Sequence, residues 1–215
     1  VFDTNLATFG GAIYNDNATI SATGNTAFNN SASFGGGVFY NDGGTLTINR
    51  STLHTNSGTT QGGAIYNGGS LIISNTTLYN NTSVTGGAIY NEGVLTLRDM
   101  IFTDNHAQWG GAIFNAGILI ITDSQFINNR AEAGGAIFNY KMMYAHNSVF
   151  SDNTAISFRS DVMEHVESEH TSASGGAIFN HNAAFVGDSR FAFNHAEFRG
   201  GAILSDKKKK MSIFN

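Results

Sequence analysis

The chain has 215 residues, with 26 glycines, no proline, no cysteine, 13% charged residues and a formal net charge of -5. That length fits one domain or two. Missing cysteine excludes disulfide staples and thiolate metal sites, the sparse and slightly acidic charge excludes the basic face of a nucleic-acid binder, and no stretch reaches the ~18 apolar residues of a spanning helix.

Val1 leads directly into Phe2-Asp-Thr-Asn5, the first copy of a Phe-x-x-Asn element, as though the sequence began within a repeat. Gly10 opens GGAIYN, which returns as GGVFYN at Gly36, GGAIYN at Gly62 and Gly86, GGAIFN at Gly110, Gly134 and Gly175, and GGAILS at Gly200. The steps between these starts are 26, 26, 24, 24, 24, 41 and 25 residues. A fixed period of this size signals stacked units that bury their apolar faces only against one another. Phe-x-x-Asn recurs at Phe102 with Asn105, Phe126 with Asn129, Phe150 with Asn153 and Phe191 with Asn194, and in leucine form at Leu53 with Asn56 and Leu78 with Asn81. Phe28 departs from it, since Ser31 stands three residues later and the asparagine falls at Asn30. Between the two motifs lie Leu46-Thr-Ile48, Leu71-Ile-Ile73, Leu95-Thr-Leu97 and Leu119-Ile-Ile121. Apolar residues two apart mark a strand with one face inward.

Three short extended pieces per unit close one coil of a right-handed parallel β-helix, an all-β solenoid of about eight coils. Coils stack at the strand separation of roughly 4.8 Å, and each coil is its own crossover connection. The whole of 1–215 reads as a single β-helix fragment.

Like residues then stack in columns. Asn15, Asn41, Asn67, Asn91, Asn115, Asn139 and Asn180 form a structural ladder at a strand end. Asn25, Asn75, Asp99, Asp123, Asn147 and Asp188 form a second column three residues before the Phe position, with Arg50 as its exception. Asx residues tolerate left-handed turns and bond the local backbone, and stacked amides bond one another. The paired glycines supply either positive φ or space for the next coil. Strand alternation places Ile13 and its equivalents opposite Tyr14, Tyr40, Tyr66, Tyr90, Phe114, Phe138 and Phe179, so one of the two columns is expected to face out. If exposed, the aromatics make a binding stripe suited to protein or sugar. If buried, they form an aromatic core stack and the isoleucines face solvent.

The 41-residue step contains one ordinary coil and 17 further residues, an insertion within 154–174. Insertions in repeat proteins collect on one face, often the binding face. This one concentrates charge at Arg159, Glu164, His165, Glu169 and His170, which are candidate binding residues. His165, Glu169 and His170 could reach one metal ion, but their spacing matches no metal motif and a solvated loop or short acidic helix is the preferred reading, so no metal or cofactor is expected. Beyond the last glycine pair, Lys207 to Lys210 read as a solvated run, and Met211 and Ile213 as the start of another strand. The Asn-x-Ser/Thr sites at Asn17, Asn29, Asn49, Asn75, Asn80 and Asn81 matter only if the chain enters a glycosylating secretory route.

The alternation of GGA[I/V] with Phe-x-x-Asn from Phe2 to Ile203 resembles the repeat pair of the chlamydial polymorphic membrane proteins. The sequence departs from the pattern at Val38 and Phe39, at Ser31, and at Ser205, where the asparagine is lost. The resemblance implies the β-helical passenger of an autotransporter, displayed on the outer membrane as a non-enzymatic adhesin, with the GGAI and FxxN segments contributing to adhesion. Its partners would be a protein or glycan on a host or neighbouring cell. Two other classes remain: a subunit of an extracellular filament, self-associating along or beside the rod, and a polysaccharide-active enzyme. The best acidic pair for catalysis is Asp99 with Asp123, roughly 5 Å apart on adjacent coils, although asparagine fills the same column elsewhere and favours a turn role.

Overall fold

The computed structural model describes residues 1–157, 173–206 and 210–214. Among these there is no helix, and three eight-stranded sheets run the length of the rod. Each sheet takes one strand from each coil, giving the eight coils expected. The first sheet carries the GGAI strands, for example Ile113–Asn115. The second carries the five-residue strands such as Ile118–Thr122. The third carries the Phe-x-x-Asn strands such as Gln125–Ile127. Pairing is parallel and in step with the repeat: Ile65 with Ile89, Leu71 with Leu95, and Leu78 with Phe102. Two three-stranded sheets complete the corner between the third face and the glycine pairs.

The interior is one continuous apolar column. Ile89, Ile113 and Ile137 enter it from the first sheet, Leu95, Leu119 and Ile121 from the second, and Phe102, Phe126 and Phe150 from the third. All are essentially without solvent contact. Burial of each such side chain is worth roughly 1.5–3 kcal/mol, and neither neighbouring coil retains that gain alone. The phenyl rings of Phe102, Phe126, Phe150 and Phe191 stack at 4.8 Å steps.

The two glycines of each pair do different work. Gly110 has a φ of +66°, which turns the chain into the strand, whereas a side chain on Gly111 would collide with the next coil. At the Phe-x-x-Asn corner, each asparagine bonds to its successor. Asn105 donates from both its backbone N and Nδ2 to Asn129 Oδ1, at 3.1 and 3.0 Å, while the same Nδ2 reaches back to Leu78 O at 3.0 Å. The second ladder runs from Asn15 through Asn41, Asn67, Asn91, Asn115 and Asn139 to Asn180, with Nδ2 to Oδ1 contacts of 2.6–2.8 Å. Where asparagine is lost, Asn180 Nδ2 donates instead to Ser205 Oγ at 3.2 Å. Buried amides are thereby satisfied within the repeat itself, as buried polar groups must be.

Two assignments made from residue type change once register is known. Ala27, not Phe28, pairs with Leu53 and faces inward, while Phe28 pairs with His54 and stacks on its ring at 5.3 Å. Ala27 with Asn30 therefore restores the usual spacing, and the first full coil carries a small residue at its phenylalanine position. Asn25 leaves the turn column for the same reason. Gly24, at φ +67°, holds the position equivalent to Arg50, and Asn25 N donates to the Ser51 hydroxyl. Arg50, Asn75, Asp99, Asp123, Asn147 and Asp188 all have positive φ. Short polar side chains meet that demand cheaply, which is the turn role expected of Asp99 and Asp123.

Candidate functional site

Each coil turns out of the third sheet on a left-handed residue: Asn80, Asp104, Asn128 and Asp152 all have φ between 53° and 58°. The ladder asparagine follows and is buried, and the next residue lies on the outer side again. His106 bridges to Arg130 in parallel register, and Arg130 pairs with Thr154. A groove therefore runs along this corner with Asp104 and Asn128 on one lip, His106, Arg130 and Thr154 on the other, and Asn105 in its floor. It encloses a cleft of about 400 Å³ that ends against Ile156.

The cleft offers a carboxylate, an amide, an imidazole, a guanidinium and a hydroxyl within two adjacent coil spacings. Asn128 Nδ2 donates to Asp104 Oδ1, and Thr103 Oγ1 donates to Asp104 Oδ2 at 3.0 Å, which fixes the carboxylate. Burial, and secondarily the charge of Arg130, hold the His106 imidazole below its ordinary pKa. A neutral imidazole both donates and accepts. Such a mixed set recognises a polar ligand by hydrogen bonds.

Thr154 and Ile156, at the start of the insertion, line this cleft. Thr154–Ala155 is still a paired strand, Ser157 N donates to Glu197 Oε2 at 2.9 Å, and Ser174 resumes the register between Ala133 and Arg199. Ile137 then pairs with Ile178, so the added residues do not disturb the coil order. Arg159, Glu164, His165, Glu169 and His170 lie outside the described residues. Among the described residues no group of three or more His, Asp or Glu gathers in a way that could hold a metal.

The aromatic column is placed differently from either alternative drawn from strand alternation. The isoleucines face the core, yet Tyr40, Tyr66, Tyr90, Phe138 and Phe179, on the opposite side of the same sheet, are also buried. They form separate apolar clusters outside the main core. Their rings stack on one another, as with Tyr40 on Tyr66 at 4.1 Å and Phe138 on Phe179 at 4.7 Å, and Phe9 and Trp109 pack against them. Alternation tells inside from outside but not whether the outer face is covered. Of this column Tyr14 is the open member, at 48% exposed, and Phe114 is partly buried.

The tyrosine hydroxyls are also engaged. Tyr66 donates to Glu92 Oε2 at 2.6 Å, Tyr90 to Glu92 Oε1 at 3.0 Å, and Tyr14 to Asp42 Oδ2 at 2.7 Å. Burial, followed by the bond to Glu92, pushes the Tyr66 phenol well above its usual range. The bond to Asp42 pushes Tyr14 up to about 12. This column works as a structural spine with a hydrogen-bonded edge.

No curated protein and no solved structure matches the chain. The sequence signature described as the Chlamydia polymorphic membrane protein (Chlamydia_PMP) repeat does, over residues 75–92, 99–116, 123–140 and 147–181. The first three segments each run from the turn column through one GGAI strand, and the fourth does so across the insertion. The coils from Asn75 to His181 carry segments similar to the Chlamydia polymorphic membrane protein repeat, and the chain is a β-solenoid.

Proposed function

We propose that this chain is a non-enzymatic passenger segment displayed at the cell surface, most specifically on an outer membrane as part of an autotransporter, and that it acts as an adhesin. Similarity of four segments to a repeat described as that of polymorphic membrane proteins supports the location. The observation that carries the adhesive reading is the polar cleft at the root of the insertion. There Asp104, His106, Asn128 and Arg130 converge on a rigid edge, and the sequence has 18 residues between Ala155 and Ser174 where other coils have one. A backbone held by two ladders loses little further entropy on binding, which favours contact by a preorganised rod. The contact is with polar groups of a protein or glycan on a host or neighbouring cell.

The test is attachment of fluorescently labelled chain to host cells. Arg130→Ala, Asp104→Ala and deletion of 158–172 should each weaken attachment about tenfold, the loss of one or two good polar contacts. Gln125→Ala, on the neighbouring third face, should not. Wild-type attachment by all three cleft and insertion variants would overturn the reading.

A further inference from the structure

The second sheet is the broadest face of the rod, and its outward residues change character along it. In the first coils they are Thr19, Ser21, Thr45 and Thr47. From the third coil onward they become Ile72, Val94, Ile118, Met142 and Tyr144, each 37–45% exposed, with Ile120 and Phe185 half-buried among them. These residues lie on adjacent strands in fixed register: Ile72 beside Thr96, then Ile120, Tyr144 and Phe185 in one column, and Val94, Ile118 and Met142 in the other. Tyr144 stacks on Phe185 at 5.0 Å. A contiguous exposed apolar patch of this kind marks an interaction site.

The two edges of the face differ in charge. Exposed Lys141 and Lys210 precede their strands on one edge. Asp99, Asp123 and Asp188 occupy the turn column on the other, where Asp123 accepts a bond from Asn147 Nδ2 at 2.7 Å and Asp188 lies 3.3 Å from His146.

We infer that this face is the contact between two copies of the chain, packed side by side and pointing the same way, about a two-fold axis parallel to the rod. That operation reverses strand direction but keeps each coil level with its own copy. Lys141 is then carried to the aspartate edge of the second copy, level with Asn147 and one coil spacing from both Asp123 and Asp188. Coil-level pairing also seats the central apolar column on itself, so Ile120 meets Ile120 and Tyr144 meets Tyr144, while Ile118 packs beside that seam opposite Thr122. The alternative two-fold, which reverses the rod, places Asp123 against Asp123 and lysine edge against lysine edge. Juxtaposed like charges oppose that pairing. Two-fold homodimers through a self-complementary patch are the commonest oligomer, and sheets pack face to face in this aligned manner.

Sedimentation of the intact chain should show a dimer at micromolar concentration. Ile120→Glu should render it monomeric with its β signal and cooperative melting retained, since Ile120 points away from the core, and with a thermal midpoint that no longer depends on protein concentration. Lys141→Glu should weaken pairing about tenfold, and adding Asp123→Lys to that variant should restore it. Because the chain has no cysteine, a pyrene on Thr47→Cys reports direction. The parallel pair brings the two Thr47 positions together and gives excimer emission, whereas an antiparallel pair centred on Ile120 separates them. A monomer at 100 µM, a dimer indifferent to Ile120→Glu, or a dimer without Thr47 excimer would each overturn the inference. None of these outcomes bears on cell attachment through the cleft.

Discussion

A Cβ placed on Gly111 would lie 2.1 Å from the carbonyl oxygen of Gly135, one coil further along. Gly87 meets Gly111 at the same 2.1 Å, and Gly63 meets Gly87 at 2.0 Å. In every pair but the last the second glycine is therefore fixed by the approach of the next backbone, and its φ lies outside the left-handed region.

Gly111→Ala and Gly24→Ala accordingly differ in cost. Gly24 has φ +67° with open space around the added carbon, so alanine there loses only the left-handed allowance, about 1–2 kcal/mol. At Gly111 the clash is with backbone, and the loss should exceed about 3 kcal/mol, in the range of severe overpacking. Urea unfolding of the two variants checks this ordering; equal losses would contradict it. Ala112, fully buried beside this contact, should tolerate a bulky residue no better.

The asparagine ladder makes a sharper demand. Asn129→Ala removes the acceptor of Asn105 N and Nδ2 and the donor to Phe102 O, all buried. Each orphaned group costs roughly 1–3 kcal/mol, so the variant should lose about 3 kcal/mol or more, while Gln125→Ala on the exposed face stays within about 0.5 kcal/mol. Chemical denaturation measures both, and a mild Asn129→Ala would show that the ladder is dispensable.

His106 should respond to acid in a defined direction. Burial and the Arg130 charge lower its folded pKa, so the unfolded chain binds a proton first. This residue's contribution to stability is complete above about pH 6.5, the ordinary histidine value, and is lost as pH falls from there toward the folded value. A ring-proton NMR titration should place its midpoint below 6.5, and Arg130→Gln should raise it part of the way. An ordinary midpoint in the wild-type chain would refute this description of the cleft.

Glu92 ties two phenols together across adjacent coils. Glu92→Gln removes the carboxylate that accepts from Tyr66 and Tyr90, so both should ionise at lower pH, while burial still keeps them above an open tyrosine. Ultraviolet difference titration follows the change. No movement would mean that the bonds to Glu92 are not formed in solution.

Much of the fold could be read because the repeat imposes one residue type per position. Ile, Asn and Gly recur where the core, the ladders and the backbone contacts require them. Phe28 was harder, because residue identity pointed one way and spacing to Asn30 the other, and pairing of Ala27 with Leu53 decides for spacing. Burial of Tyr40, Tyr66 and Tyr90 depends on rings from neighbouring coils and on Phe9, which no single strand reveals. The cleft draws on the variable residues of the motif, Asp104 with Asn128 and His106 with Arg130, which come together only after coils are stacked. An available signal for the apolar face was isoleucine at the outward position of Leu71-Ile72-Ile73 and Leu119-Ile120-Ile121, where a one-sided strand calls for a polar residue.

Methyl-labelled isoleucine offers the most direct test of coil stacking. Cross-peaks should link Ile65 to Ile89, Ile89 to Ile113 and Ile113 to Ile137, partners in adjacent strands 24 residues apart. Absence of these contacts, or their replacement by contacts three and four residues apart, would contradict the solenoid and everything built on it.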